Sequence, residues 1–428
     1  MREHDTRPPA QTKRDAVLLG LALMVYLTLT GVCLSLVPVI APQMQDQFGL
    51  SSSQIGLLTS MFMLTTSLGA IPMGLAGARW GGRVLVFGGG LFIVGLILFA
   101  ATASYPWFLV ARLIQGIGAS AGPPVGTAVI AQSLDRRYHG WAFGAFGMGQ
   151  GVGVLLTLLI MPSVQAAGGY RAVSLAAAGV TFLLVLVSLG RRELRALPQS
   201  PAPSVAVREL LRSLGAIALN YRFLLLVIVN IGVIGLFVGI VAWTPAFLHD
   251  QRGMSLAAAA YLTAGLGLAQ LLGSPAGATI MAHLGKVRTI VLDLSIMLVA
   301  TALVPFAPGV GGVIVCVVIT GFLTLANLPA FLSLVPEVFS RRPDQIGPAT
   351  GYMYTVNLVA TMLAPWLFGV LLDRYGIAKG DKGYLLGYEL LAFLAFLGLV
   401  AALLFVFGRK GTAGETAPEP PVREVAER

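Results

Sequence analysis

The sequence predicts an all-α membrane protein with twelve transmembrane helices in two pseudo-symmetric six-helix bundles. Three observations predict it. Hydrophobic residues are 57% of the 428-residue chain and charged residues 11%, about half the charged share of a soluble domain. Twelve mostly apolar runs of about twenty residues can be laid along it. The stretch 48–83 also returns without gaps 204 positions later, as 252–287.

The twelve spans follow in order at about 16–40, 54–77, 83–103, 106–131, 141–163 and 171–190, then 222–247, 257–281, 288–307, 311–336, 347–372 and 385–407. Strand-like alternation is absent, which argues against a β-barrel. Met1–Asp15 is polar and basic, and the apolar run after it is too long for the core of a cleavable signal. This gives an N-terminal tail (1–15), a first bundle (16–190), a linker (191–221), a second bundle (222–407) and a C-terminal tail (408–428). The linker is long and Pro/Ser-rich (ELRALPQSPAPSVAVREL), as a flexible connection between halves would be. Val205–Leu219 reads as a short amphipathic surface helix, and the end of the chain from Gly411 as disordered.

In the repeat, Gly49, Ser51, Leu58, Thr59, Leu64, Leu68, Gly69, Ala78 and Gly81 recur as Gly253, Ser255, Leu262, Thr263, Leu268, Leu272, Gly273, Ala282 and Gly285. Both copies share one layout: a Gly/Ser loop, a long apolar helix and a short basic turn. Two similar halves threaded repeatedly through lipid are the plan of a membrane transporter.

Charge gives the orientation. With the N-terminus inside, cytoplasmic segments hold twenty-two of the twenty-eight Lys and Arg and external ones hold five, a positive-inside bias for a plasma or bacterial inner membrane with both termini cytoplasmic. This accounts for the net charge of +10 without nucleic acid. Cys33 and Cys316 fall inside spans, so no disulfide framework is implied. No His/Cys/Asp/Glu cluster has metal-ligand spacing and no phosphate loop occurs, which excludes a metal site, a cofactor and ATP-driven transport from the expectation. His4, His139, His249 and His283 read as loop or tail residues.

Several motifs resemble the major facilitator superfamily. Between spans 2 and 3, Gly74-Leu-Ala-Gly-Ala78-Arg79-Trp80-Gly81-Gly82-Arg83 matches the family's signature at Gly74, Arg79, Gly81 and Arg83. The acidic position is Ala78. In the family that Asp meets a helix end of the other half and latches one state, so the resemblance implies a gating role for the four matching residues and an altered latch. Arg112-Leu-Ile-Gln115-Gly116-Ile-Gly118-Ala119 reproduces the span-4 signature. Gly169-Tyr170-Arg171 and Gly369-Val-Leu-Leu-Asp373-Arg374-Tyr-Gly376 resemble two more. In span 5, Gly144-Ala-Phe-Gly147-Met-Gly149-Gln150-Gly151-Val152-Gly153 is glycine-rich, but Val152 stands where the drug-exporter signature has proline. Gly122-Pro123-Pro124 and Ser274-Pro275 read as helix bends.

Arg112 is the one charge placed well inside the membrane, where a guanidinium costs a few kcal/mol unless it faces water, a partner or a solute. It either ties helices together through carbonyls or Gln115, or attracts an anion into the central cavity. No Asp or Glu lies deep in the first six spans. Asp293 and Glu337 read as interfacial, and Glu389 as somewhat deeper on span 12. The resemblance implies that spans 1, 4, 7 and 10 line the cavity, with 2, 5, 8 and 11 contributing. The substrate-binding candidates are then Arg112, Tyr26, Gln115, Gln150, Asn230, Gln270, Asn327, Tyr354 and Asn357, with Thr30 sharing a face with Tyr26, and Phe62, Phe237 and Trp243 as apolar walls. Members carrying nitrate or monocarboxylates place an Arg in span 2 or 8, and this chain has none there.

The expectation is a monomeric secondary transporter working by alternating access, with no enzymatic activity. It moves a small organic anion or polar metabolite, with a proton or counter-substrate as its coupling partner. The alternative is a proton-coupled exporter of lipophilic compounds.

Overall fold

A computed structural model describes residues 12–134, 145–189, 219–339, 346–378 and 380–412, with a few isolated positions between them. Residues 1–11, most of the linker with most of its expected Val205–Leu219 helix, and the chain from residue 413 lie outside the described residues. The described elements are α1 (Lys13–Phe48), α2 (Ser52–Trp80), α3 (Arg83–Ala101), α4 (Tyr105–Ala119), α5 (Gly122–Ser133) and α6 (Gly149–Leu189). The second half follows with α7 (Tyr221–Arg252), α8 (Leu256–Leu284), α9 (Lys286–Leu303), α10 (Gly309–Val338), α11 (Ile346–Tyr375) and α12 (Gly383–Thr412).

Twelve passes result. Among the described residues, nine helices are long and apolar enough to cross a bilayer. One of these, α6, makes two passes, because Gly168 and Gly169 leave helical geometry (Gly169 φ 66°) and the chain doubles back. Its return arm brings Val185 against Gly89 of α3. Helices α4 and α5 join at Ser120–Ala121 into a single pass, with the expected Gly122-Pro123-Pro124 bend opening α5. The thirty-residue α11 completes the set. Large apolar side chains such as Phe87, Leu183 and Phe306 stay more than half exposed on the outer surface, which lipid tolerates and water would not.

The sequence repeat has a structural meaning. Gly49 and Gly253 both take left-handed backbone (φ 62° and 67°) to end α1 and α7. Two residues later Ser51 and Ser255 cap α2 and α8 by accepting from the N–H of Gln54 and Ala258. Gly81 and Gly285, again at positive φ, end those helices. Three of the nine shared pairs are therefore helix stops and starts.

The end of the bundle that carries the start of α1 and the end of α12 is called proximal here. Each half closes its distal end with an aromatic cluster. Phe48, Phe99, Phe108 and Tyr170 form the first. In the second, Trp243 stacks on Phe368 at 5.4 Å, with Phe247, Tyr384 and Tyr388 packed edge-on around them.

Candidate functional site

The described contacts between the halves run from the distal end to mid-membrane. Asp373, at the end of α11, places its two carboxylate oxygens against the first turn of α2. Ser52 N–H donates to one at 2.7 Å and Ser53 N–H to the other at 2.8 Å. An acid at a helix N-terminus meets both free N–H groups and the positive end of the dipole. Gly369 packs on the Ser52 carbonyl and Gly56 on that of Pro365. Ser60 Oγ donates to the Met362 carbonyl. On the other side of the bundle Gly151 of α6 meets Gly267 of α8, and Ser163 and Tyr261 share a hydrogen bond of 2.7 Å. Further toward the proximal end, α2 exposes more than half of Leu75 and Trp80.

Arg112 lies between α1, α2 and α4 and is fully buried. Its Nε donates to the Leu58 carbonyl at 2.9 Å, and Nη2 to the Cys33 carbonyl at 3.0 Å. Nη1 donates to Cys33 Sγ at 2.7 Å and to Gln115 Oε1 at 2.9 Å. The guanidinium also sits 4.8 Å over the Phe62 ring. Helix geometry puts Arg112 and Gln115 on one face, three residues apart, while Cys33 arrives from α1. All its acceptors are neutral, so its donors are satisfied but its charge is not cancelled. The described part of the first half contains only two acids, Asp15 and Asp46, at opposite ends of α1. Gln115 Nε2 is buried without a partner.

The other expected contact residues are scattered through both halves, and among those described Gln270 lies at their junction. Tyr26 is buried, its backbone under Gly122. Gln150 is half-buried, and its carbonyl packs on Gly31. Asn230 is buried in α7. Gln270 of α8 is 1% exposed, with neither its oxygen nor its nitrogen hydrogen-bonded, although its Cβ lies beside Gly151 at the junction of the halves. A buried amide without partners costs about 1–3 kcal/mol, so its place needs a reason other than stability. Tyr354 and Asn357 fall on α11, and their side chains lie outside the described residues. Phe62, Phe237 and Trp243 are core residues. Trp243 Nε1 donates to the Pro365 carbonyl at 3.0 Å.

Of the gating residues, Gly74 packs near Pro124 and Gly81 turns the chain out of α2. Arg79 and Arg83 are exposed on either side of that turn. Asp373 is the acid that actually meets a helix end of the other half, and it does so distally.

Asp293, expected at the interface with the headgroups, is instead 1% exposed inside the second half. Its helix begins immediately after the Gly285 turn, so seven residues carry it about 10 Å inward. Glu337 is interfacial, paired with Lys286 at the proximal rim. Glu389 stands nearly two turns into α12 with its side chain exposed on the outer surface. His249 and His283 also differ from expectation, sitting in the last turns of α7 and α8, where His249 Nδ1 meets the Met254 carbonyl at 2.7 Å. His4 and His139 lie outside the described residues.

A model of the Major Facilitator Superfamily matches residues 19–347. The chain belongs to that superfamily. It is 26% identical over 288 residues to a protein of Thermus thermophilus described as a probable nitrate/nitrite antiporter, NarK1. That match covers 63% of this chain and 62% of the relative, less than two thirds of its length. Among solved structures, a bacterial homologue of the human lysosomal transporter Spinster, inward-facing and occupied, superposes with a TM-score of 0.72 at 18% identity. The same protein in its unoccupied form gives 0.69 at 19%. Both cover 96% of this chain and 100% of the other, and at this identity they speak for the fold. That superfamily is one of membrane transporters and not of enzymes, and the described helices are those of a multi-pass membrane protein.

Proposed function

We propose that this transporter moves small anions by alternating access. The observation that carries this is Arg112: a permanent positive charge, enclosed at the centre of the first half, with neutral partners and no described acid nearby. In a low-dielectric wall such a charge raises the local concentration of anions in the adjoining space. Its donors are taken, so the charge attracts at a distance while amides make contact. Gln115 Nε2 and both ends of Gln270 are unpartnered and available. Asn230, Gln150, Tyr26, Tyr354 and Asn357 complete the solute-facing set, while Asn327, expected with them, turns toward Asp293 of α9 instead. The named relative described as handling nitrate and nitrite supports an anionic class, although the absence of Arg from spans 2 and 8 leaves nitrate itself without its expected ligand.

The positive-inside distribution places both termini in the cytoplasm of a bacterial inner membrane. The described contacts between the halves then lie on the outer side and at mid-membrane. Asp373 on the α2 N-terminus serves as the latch, at the opposite end of the helix pair from Ala78.

Uptake of labelled nitrate and small carboxylates into proteoliposomes tests the reading, comparing the parent with Arg112→Gln. The parent accumulates at least one of them, and the variant loses it at least tenfold. A parent that moves none, or a variant that matches it, overturns the anion assignment. One observation favours a lipophilic exporter instead. A groove of about 560 Å³, lined by Leu268, Leu272, Ile296, Ile319, Phe322 and Leu323, is apolar throughout and lies between α8, α9 and α10. Efflux of a lipophilic dye that collapses with a protonophore would establish that alternative.

A further inference from the structure

The seam between α9 and α10 carries polar groups at two depths. At the proximal rim Lys286 Nζ pairs with the Glu337 carboxylate and donates to the Ser333 carbonyl at 3.4 Å. Two turns deeper Asp293 faces Asn327 across the seam, and the two side chains are 1% and 3% exposed. The amide stands close to the carboxyl, yet Asp293 Oδ2 and Asn327 Nδ2 both lack a hydrogen-bond partner.

The surroundings decide what form the acid takes. From α10, the only titratable groups are Cys316 and Glu337, and Glu337 is engaged by Lys286. The stretch of α12 between Glu389 and Arg409 has none. Helix α8 offers Tyr261 and an exposed His283, and α9 itself offers Lys286 and Arg288 at the rim. No described cation lies against the carboxyl. An ionised carboxylate enclosed without a cation or a full set of donors is very costly, whereas a neutral acid is tolerated.

We propose that Asp293 is a proton-binding site of the transport cycle. It holds a proton while the α9–α10 seam is closed. When α10 shifts and water enters, the O–H bond breaks, the proton passes to water and the carboxylate remains. Asn327 Nδ2, idle in the closed seam, then donates to that carboxylate. The proposal rests on the alternating-access reading and is independent of the solute being an anion.

Infrared spectra of the full-length protein in lipid, with isotope-labelled aspartate, test it without any transported solute. At mildly acidic pH the parent shows a labelled protonated-carboxyl band that bleaches as pH rises, and Asp293→Asn lacks it. Thermal unfolding gives the second readout. The parent loses several degrees of Tm as pH rises from the acid range to neutral, because the unfolded chain releases this proton at an ordinary carboxylate pH while the folded state still holds it. Asp293→Asn, which has the shape of the neutral acid, stays flat. Should that variant not fold, Asp293→Glu removes the labelled band by chemistry alone. No protonated-aspartate band in the parent, a band surviving in either variant, or parallel Tm curves overturn the proposal. A failed anion assay leaves all of these results standing.

Discussion

In the first half a guanidinium is buried with four hydrogen bonds to carbonyls, a thiol and an amide. In the second half a carboxyl is buried with an oxygen left over and an idle amide beside it. The difference follows from chemistry. Arginine keeps its charge at any accessible pH, so a fold that encloses it must supply acceptors from several helices at once. A carboxyl can shed its charge by taking a proton and needs less from its neighbours. The first node is therefore built to stay still, and the second is built with something left to do.

Breaking the first node has the largest expected effect. Arg112→Ala strands the Leu58 and Cys33 carbonyls and Gln115 in a cavity, and a loss of about 3–5 kcal/mol is expected. Arg112→Lys keeps the charge but cannot reach α1, α2 and α4 together, so it falls between. Thermal unfolding in detergent reads both. If Arg112→Ala is as stable as the parent, the tie between helices is not what the residue provides.

Releasing the distal contact comes next. Asp373→Asn keeps one acceptor oxygen but loses the charge that both serine N–H groups address. Hydrogen bonds to a charged group contribute about 1.5–3 kcal/mol, so the closed-outside population should drop about tenfold or more. Label-to-label distances across the distal ends of α6 and α8 would lengthen. An unchanged distance distribution would remove Asp373 from the gating account.

How much of this was legible in the sequence depends on the reach of the signal. Arg112 was conspicuous as a charge within an apolar run, and Gln115 follows at helical spacing. Cys33, which supplies two of the four acceptors, stands 79 positions away in another helix, and nothing local marks it. The glycines and serines of the repeat were readable as a pattern, but their meaning as caps needed backbone angles. Asp373 stood in a recognisable close to its helix, while its partners lie 321 and 320 positions upstream. Asp293 was placed too near the membrane surface because an apolar run counted from the sequence does not show where the helix starts. Gly285 sets that start, and two turns of helix do the rest.

The second node can be sharpened by removing polarity instead of adding it. Gln270→Leu replaces an amide that no described group satisfies. Relieving that burial should raise stability by about 1 kcal/mol. If the amide is kept for a solute, transport falls as Tm rises, and the two readouts move in opposite directions. A Gln270→Leu protein that is both less stable and fully active would show that water or an alternative rotamer already meets the amide.

The smallest effect belongs to the rim of the same half. Lys286 and Glu337 are 36% and 40% exposed, and an exposed pair of this kind contributes less than about 1 kcal/mol. Lys286→Gln should therefore barely move the unfolding temperature at neutral pH. It also removes a cation two turns from Asp293 on the same face of α9, which gives the variant a second use. If the rim and the buried acid are separate, the loss of Tm with rising pH attributed to Asp293 keeps its position in Lys286→Gln. If the loss moves to higher pH, the rim lysine already stabilises the ionised carboxyl. The node would then extend from Asp293 to the surface, and its proton would exchange along the Lys286–Glu337 edge.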